Sequence, residues 1–101
     1  MVEALESSEE FQEIIAEEEL VVIKFFATWC GPCKAVAKKF EALANEHTDF
    51  RVIEVDVDEF PDVVEECEVT VMPTFKLFSN GEEVKEVTGT EMAKIQELFS
   101  S

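Results

Sequence analysis

"FFATWCGPCKAVAKKF", residues 25–40, changes its periodicity in the middle. Upstream it belongs to an apolar, β-branched and aromatic run, "LVVIKFF" at 20–26, of the kind that forms a strand buried on both faces of a parallel sheet. From Gly31 onward the apolar residues Val36, Phe40, Leu43 and Ala44 recur at helical spacing, which leaves Lys34, Lys38, Lys39 and Glu41 for solvent. A second buried-type run, "FRVIEVDV" at 50–57, follows. Strand, helix, strand makes a βαβ unit, which demands a right-handed crossover and a parallel pair.

Outward from this unit the pattern stays legible. Residues 7–19, "SSEEFQEIIAEEE", open with a capping box in which Ser7 receives the amide of Glu10 and the Glu10 carboxylate reaches back. Phe11, Ile14 and Ile15 then share one face, and the acids at 17–19 oppose the C-terminal dipole, so the helix is expected to stop there. "PDVVEECEV" at 61–69 reads as a short helix. Residues 74–89 read as a hairpin turning at Asn80-Gly81, with an alternating first strand and a charged second strand suited to a sheet edge. A closing helix over 90–99 would carry Met92, Ile95, Leu98 and Phe99 on one face, capped by Thr90. The result is an α/β chain, a mixed sheet with helices packed against it. No linker or repeat divides residues 1–101, so a single domain is expected.

Composition sets limits on function. The net charge is -16, from 24 acidic and eight basic residues, which argues against nucleic acid and anionic membranes as partners. No stretch approaches the roughly 20 apolar residues of a membrane span, and "MVEALESSEE" lacks a basic segment followed by an apolar one. A cytoplasmic protein is therefore expected. Three cysteines are too few for a disulfide framework and leave one thiol over if two pair.

Cys30 and Cys33 flank Gly31-Pro32 where the strand gives way to the helix. Proline suits a first helical turn because its missing N–H would have no intrahelical partner, and glycine permits a sharp turn. The first cysteine then faces free amides and the positive end of the helix dipole, which favour thiolate over a thiol of ordinary pKa about 8.5. The second lies one turn on. Three readings compete. A zinc site needs four ligands, and only Cys67 and His47 remain, neither in a second paired spacing. A structural staple would tend to be reduced inside a cell. In a redox dithiol, Cys30 attacks a disulfide and Cys33 resolves the mixed intermediate.

"FFATWCGPCK", followed by "EVDVDE", "VTVMPTFKLFSNGE" and "VTG" at these separations, resembles the thioredoxin family across essentially the full chain, the eukaryotic cytosolic type in particular. The resemblance implies a thioredoxin fold with about five strands and about four helices, with Pro73 in the cis form beside the dithiol. It implies a protein-disulfide reductase that needs no bound cofactor. Electrons would come from NADPH through a separate thioredoxin reductase and go to disulfide-containing clients, and a monomer is expected. Trp29, Gly31, Pro32, Val71, Met72, Pro73 and Gly89 would form the surface on which clients dock, although ordinary packing would also account for Val71 and Met72. The rival readings are a dithiol oxidant or isomerase, and a non-catalytic adaptor on the same fold.

Two positions depart from the family pattern. Lys24 stands where the family has a buried aspartate beneath the dithiol, and the matching position on the neighbouring strand is Glu54. A buried lysine must find a carboxylate, lose its proton or snorkel out. The expectation is a charge-swapped Lys24–Glu54 pair, the ammonium favouring the Cys33 thiolate and Glu54 relaying protons through water. Lys38 replaces a proline that often kinks the long helix, so an unbroken helix over 31–46 is expected. With Lys24, Lys34 and Lys39 it gathers half the basic residues near the dithiol, as either a steering patch or a solvated face. Cys67 is expected to be buried and inert, and His47 a surface residue near a helix end.

Overall fold

The computed structural model describes residues 2–100, one short of the chain at each end. The elements run β1 (Val2–Ala4), α1 (Ser8–Glu17), β2 (Leu20–Phe26), α2 (Gly31–Glu46), β3 (Arg51–Asp56), α3 (Pro61–Glu66), β4 (Thr74–Ser79), β5 (Glu82–Thr88) and α4 (Met92–Glu97). The strands form one sheet in the order β1-β3-β2-β4-β5. β1 and β2 run parallel to β3, while β4 is antiparallel to β2 and β5 antiparallel to β4. The βαβ unit read at 20–57 is thus present, with α2 as its crossover.

Alternation along the central strands sends side chains to two cores. Val21, Ile23, Phe25, Ile53, Val55 and Phe78 pack with Phe11 and Ile14 of α1 and Val63 of α3. Val22, Val52, Phe75 and Leu77 pack on the other face with Val36, Phe40 and Leu43 of α2 and Ile95 of α4. Because β2 is covered on both faces, it reads as a continuous apolar run instead of an alternating one. The same coverage buries β4 almost throughout, Lys76 included, although its sequence alternates.

Local details differ from the sequence expectations at three places. Ser7 Oγ accepts from the Glu10 amide at 3.1 Å, but the Glu10 carboxylate reaches one residue further back, to the amide of Glu6 at 2.9 Å. Thr90 does not cap α4: the cap position is Glu91, without a side-chain hydrogen bond, and the helix ends at Glu97. Leu98 and Phe99 still reach the core from the turn that follows. The third difference is β1, which no periodicity announces in a three-residue stretch. It exists because β3 offers a free edge, and Arg51 fastens it, bonding Glu3 at 3.0 Å and Glu18 at 3.2 Å.

Asn80 and Gly81 both take positive φ, 52° and 87°, which is the two-residue turn that an antiparallel hairpin favours. α2 is one uninterrupted helix from Gly31 to Glu46.

Candidate active site

The site is built where β2 delivers the chain to α2. Cys30 is the N-cap of α2, with extended backbone, and Pro32 occupies the first turn. The Cys33 amide donates to Cys30 Sγ at 3.1 Å, so one of the orphan amides of the helix start is aimed at the sulfur. Cys30 and Cys33 form a disulfide, with Cα atoms 5.3 Å apart. Both cysteines are buried. When the bond opens, the same amide and the helix dipole stabilise a thiolate on Cys30.

Gly31 plays a different part from the one its position suggests. Its φ lies outside the left-handed region, and a Cβ placed there would meet nothing within 4 Å. The turn therefore does not require glycine. What the bare Cα leaves is an unobstructed surface next to Cys30.

Beside the dithiol runs a groove of about 540 Å³ lined by Trp29, Cys30, Gly31, Pro32, Val57, Thr70 and Met72. Trp29 is 69% exposed, and its indole N–H donates to Asp58 Oδ2 at 2.9 Å, which fixes the ring at the edge of the groove. Sequence reasoning missed Asp58, Val57 and Thr70. The only signal was the run "EVDVDE", whose second half turns out of β3 toward the dithiol.

The Met72–Pro73 peptide is cis. Pro73 is buried and its carbonyl accepts from the Gly89 amide at 3.0 Å, while Thr74 Oγ1 donates to the Val71 carbonyl at 2.6 Å. Gly89 holds φ of 93°, a conformation that other residues rarely adopt, so here the glycine is a backbone requirement. Val71 projects into solvent at 50% exposure, which excludes core packing as its role. Met72 does both things, packing against the core and lining the groove.

On the other side of Cys33 lies a cavity of about 390 Å³ whose lining includes Lys24, Phe26, Thr28, Cys33, Lys34 and Glu54. Lys24 and Glu54 are register partners across β2 and β3, as the sequence suggested. They share the cavity without closing a direct ion pair: among the described residues, the salt bridges involve Arg51, Lys76 and Lys94 only. The Lys24 ammonium instead sits 5.3 Å from the centre of the Phe26 ring and 5.9 Å from that of Phe40. Burial lowers its pKa below the ordinary lysine value, against the opposing fields of Glu54 and Glu41. No fully buried side-chain nitrogen or oxygen among the described residues lacks a partner, so this unpaired ammonium keeps some access to solvent.

Cys67 and His47 stand apart from the site. Cys67 is a free, buried thiol whose pKa burial pushes up to about 11, despite the nearby Lys76. His47 caps the C-terminus of α2 and stacks on Phe99, with ring centres 5.0 Å apart. Among the described residues no group of three or more His, Cys, Asp or Glu could hold a metal ion. Among them, too, no helix is long and apolar enough to cross a membrane.

A disulfide-forming pair at a strand-to-helix corner, with a helix amide on the Cys30 sulfur and an open groove beside it, defines a thiol–disulfide oxidoreductase. Comparison narrows the class: the model of the thioredoxin family matches residues 2–101, and the chain belongs to that family of protein-disulfide oxidoreductases. Thioredoxin-1 of Schizosaccharomyces pombe is 46% identical over 96 residues, covering 95% of this chain and 93% of the relative. A Plasmodium falciparum thioredoxin structure superposes with a TM-score of 0.94 at 40% identity, covering 97% of this chain and 96% of the other. A structure from a study of thiol resolution in yeast mitochondrial 1-Cys peroxiredoxin via glutathione/thioredoxin systems gives 0.93 at 35% identity, covering 98% and 93%.

Proposed function

We propose that this chain works in the reducing direction on protein disulfides, helps maintain redox balance in the cytoplasm, and is returned to the dithiol state by a separate thioredoxin reductase. NADPH then enters only through that reductase, and the chain acts as a monomeric single domain without a bound cofactor of its own. The observation that supports this reading best is the Cys33 amide at 3.1 Å from Cys30 Sγ, at the mouth of an open groove.

In this reading a client segment lies in the groove against Trp29, Val71, Met72 and Pro73, with Gly31, Pro32 and Gly89 keeping the approach clear. The backbone flanking Pro73 offers pairing groups to an extended chain. Cys30 Sγ attacks the client disulfide and releases one client thiolate. Cys33 Sγ then attacks Cys30 Sγ, the internal disulfide forms, and the second client thiolate leaves, so two electrons pass to the client. Lys24 and Glu54 flank the resolving sulfur, the ammonium favouring its thiolate and Glu54 exchanging protons through water. Likeness to a structure studied for thiol resolution in a yeast 1-Cys peroxiredoxin supports one kind of client chemistry, a protein thiol resolved by exchange.

Turbidimetric reduction of insulin in the presence of dithiothreitol tests the proposal. The chain should accelerate precipitation well above the reductant alone, Cys30→Ser should abolish the effect, and Cys33→Ser should accumulate a mixed disulfide. No acceleration by the intact chain would leave the adaptor reading standing.

A further inference from the structure

A buried cation beneath the dithiol is matched by no carboxylate of its own chain. Lys24 is 5% exposed, yet the ion pairs among the described residues are made by Arg51, Lys76 and Lys94. Charges taken out of water are ordinarily paired, since an unmatched one costs stability. Beside Lys24 lies the cavity of about 390 Å³, whose lining carries two ammonium groups, Lys24 and Lys34, against one carboxylate, Glu54. One positive charge is left over, on a chain whose net charge is -16. From this juxtaposition we propose that the cavity is a binding site for a small organic monocarboxylate, its headgroup paired with Lys24 and its apolar body against the walls. The proposal concerns a ligand of the cavity and does not depend on which way the dithiol carries electrons.

The lining sets the chemical class of the occupant. Buried Lys24, Ala27 and Cys33 contribute to it, as do Thr28 and Lys34, which are exposed and place its mouth on their side. Phe26 and Ala37 add hydrocarbon to the walls, so an occupant gains from an apolar body as well as from a charge. Small-ligand sites are typically roughly 300–1,000 Å³, largely apolar, with a few polar groups that fix orientation, and this cavity has that make-up. A single surplus positive charge suits a monoanion. The second charge of a dianion would stand unmatched near Glu54. An aryl or short-chain alkyl carboxylate meets both conditions.

Pairing would relieve a cost that the chain carries by itself. Burial lowers the Lys24 pKa, and Glu54 and Glu41 oppose that shift without closing an ion pair. From β4 the register partner is Phe75, which carries no charge. The rings of Phe26 and Phe40, 5.3 and 5.9 Å from the ammonium, stabilise a cation only modestly compared with water. A carboxylate seated against Lys24 would add a charge-assisted hydrogen bond where the local dielectric is low and such bonds are strong. Glu54 is then a competitor, because a carboxylate on the cavity wall opposes the entry of another. In the disulfide form the Cys33 sulfur is a neutral wall, which makes that form the one to test.

Titration of the intact disulfide form with sodium benzoate, followed by amide NMR near neutral pH at constant ionic strength, tests the site. Saturable shifts should appear at Phe26, Ala27, Cys33 and Lys34, with a Kd on the order of a millimolar. Benzamide, the neutral analogue, should bind about tenfold more weakly or less, and Lys24→Met should weaken benzoate by a similar factor. Glu54→Gln should tighten it about twofold to fivefold, a gain that does not depend on how the Lys24 variant folds. Equal binding of benzoate and benzamide would overturn the proposal, as would shifts confined to lysines and Arg51 away from the cavity. Sodium chloride reproducing the same saturable shifts would also overturn it, since the site would then take any anion. Insulin reduction is read separately, so failure there leaves this site standing and failure here leaves the proposed function intact.

Discussion

Lys24 and Lys76 are buried in the same sheet, one residue out of register across β2 and β4, and therefore on opposite faces. Lys76 is fully committed. Its ammonium meets Glu83 and Glu86 of β5, each at 2.8 Å, and although burial alone would lower its pKa, the two carboxylates raise it above the ordinary value. Lys24 has its carboxylates at a distance, rests on two aromatic rings, and opens onto the cavity beneath the dithiol. Burial of a charge thus serves two ends in one sheet. A lysine matched by two acids holds an edge strand in place, whereas one left unmatched in a cavity that Cys33 also lines carries its burial as a cost to the fold.

The hardest blow to this contrast would fall on Lys76. Replacing both Glu83 and Glu86 by glutamine strands a buried ammonium and should cost about 3–5 kcal/mol in urea unfolding. A loss below about 1 kcal/mol would show that the pair is ordinary surface electrostatics. Lys76→Met should cost far less than the double glutamine variant, since Glu83 and Glu86 have side chains 38% and 45% exposed and can rehydrate.

Lys24→Met should have the opposite sign, stabilising the fold by roughly 1–2 kcal/mol at neutral pH. A folded-state pKa below that of the unfolded chain means that the unfolded form binds more protons, so the cost of Lys24 is present at neutral pH and fades as pH rises toward about 10.4. The advantage of Lys24→Met over the parent should shrink over that window. Lys76 runs the other way. Its raised folded-state pKa contributes stability that is complete below about 10.4 and is lost as pH climbs through the folded value. Chemical denaturation as a function of pH would read both slopes, and parallel curves for the two lysine variants would erase the distinction.

The smallest effect is expected at Cys67, the thiol in the core on the Lys76 side of the sheet. Iodoacetamide at neutral pH should leave it unmodified in the native disulfide form and label it only on unfolding, because burial holds its pKa at about 11. Rapid native labelling would mean that this part of the core opens far more often than its packing indicates.

The two lysines also mark how far the sequence could be read. Lys24 drew notice because an ammonium inside "LVVIKFF" breaks an apolar run, and its register with Glu54 followed from two matched strands. Lys76 drew none. In "TFKLFS" it falls where an alternating strand would put a polar residue, and only the packing of α1 and α3 on that face makes it buried. Even for Lys24 the register was legible and the side-chain geometry was not, since whether two long side chains touch depends on the rings and the cavity around them.

Local chemistry was enough to set several features of this protein: the α1 cap at Ser7, the Asn80-Gly81 turn and the dithiol at the head of α2. Each depends on neighbours within a few residues, where propensity and hydrogen bonding act without help from the fold. It took the assembled fold to make Val2–Ala4 a strand, to set Asp58 against Trp29, to leave Gly31 facing open space without a positive φ, and to give Lys24 a cavity shared with Cys33 but no bond with Glu54. Those outcomes rest on contacts between segments distant in sequence, whose partners a periodicity cannot name.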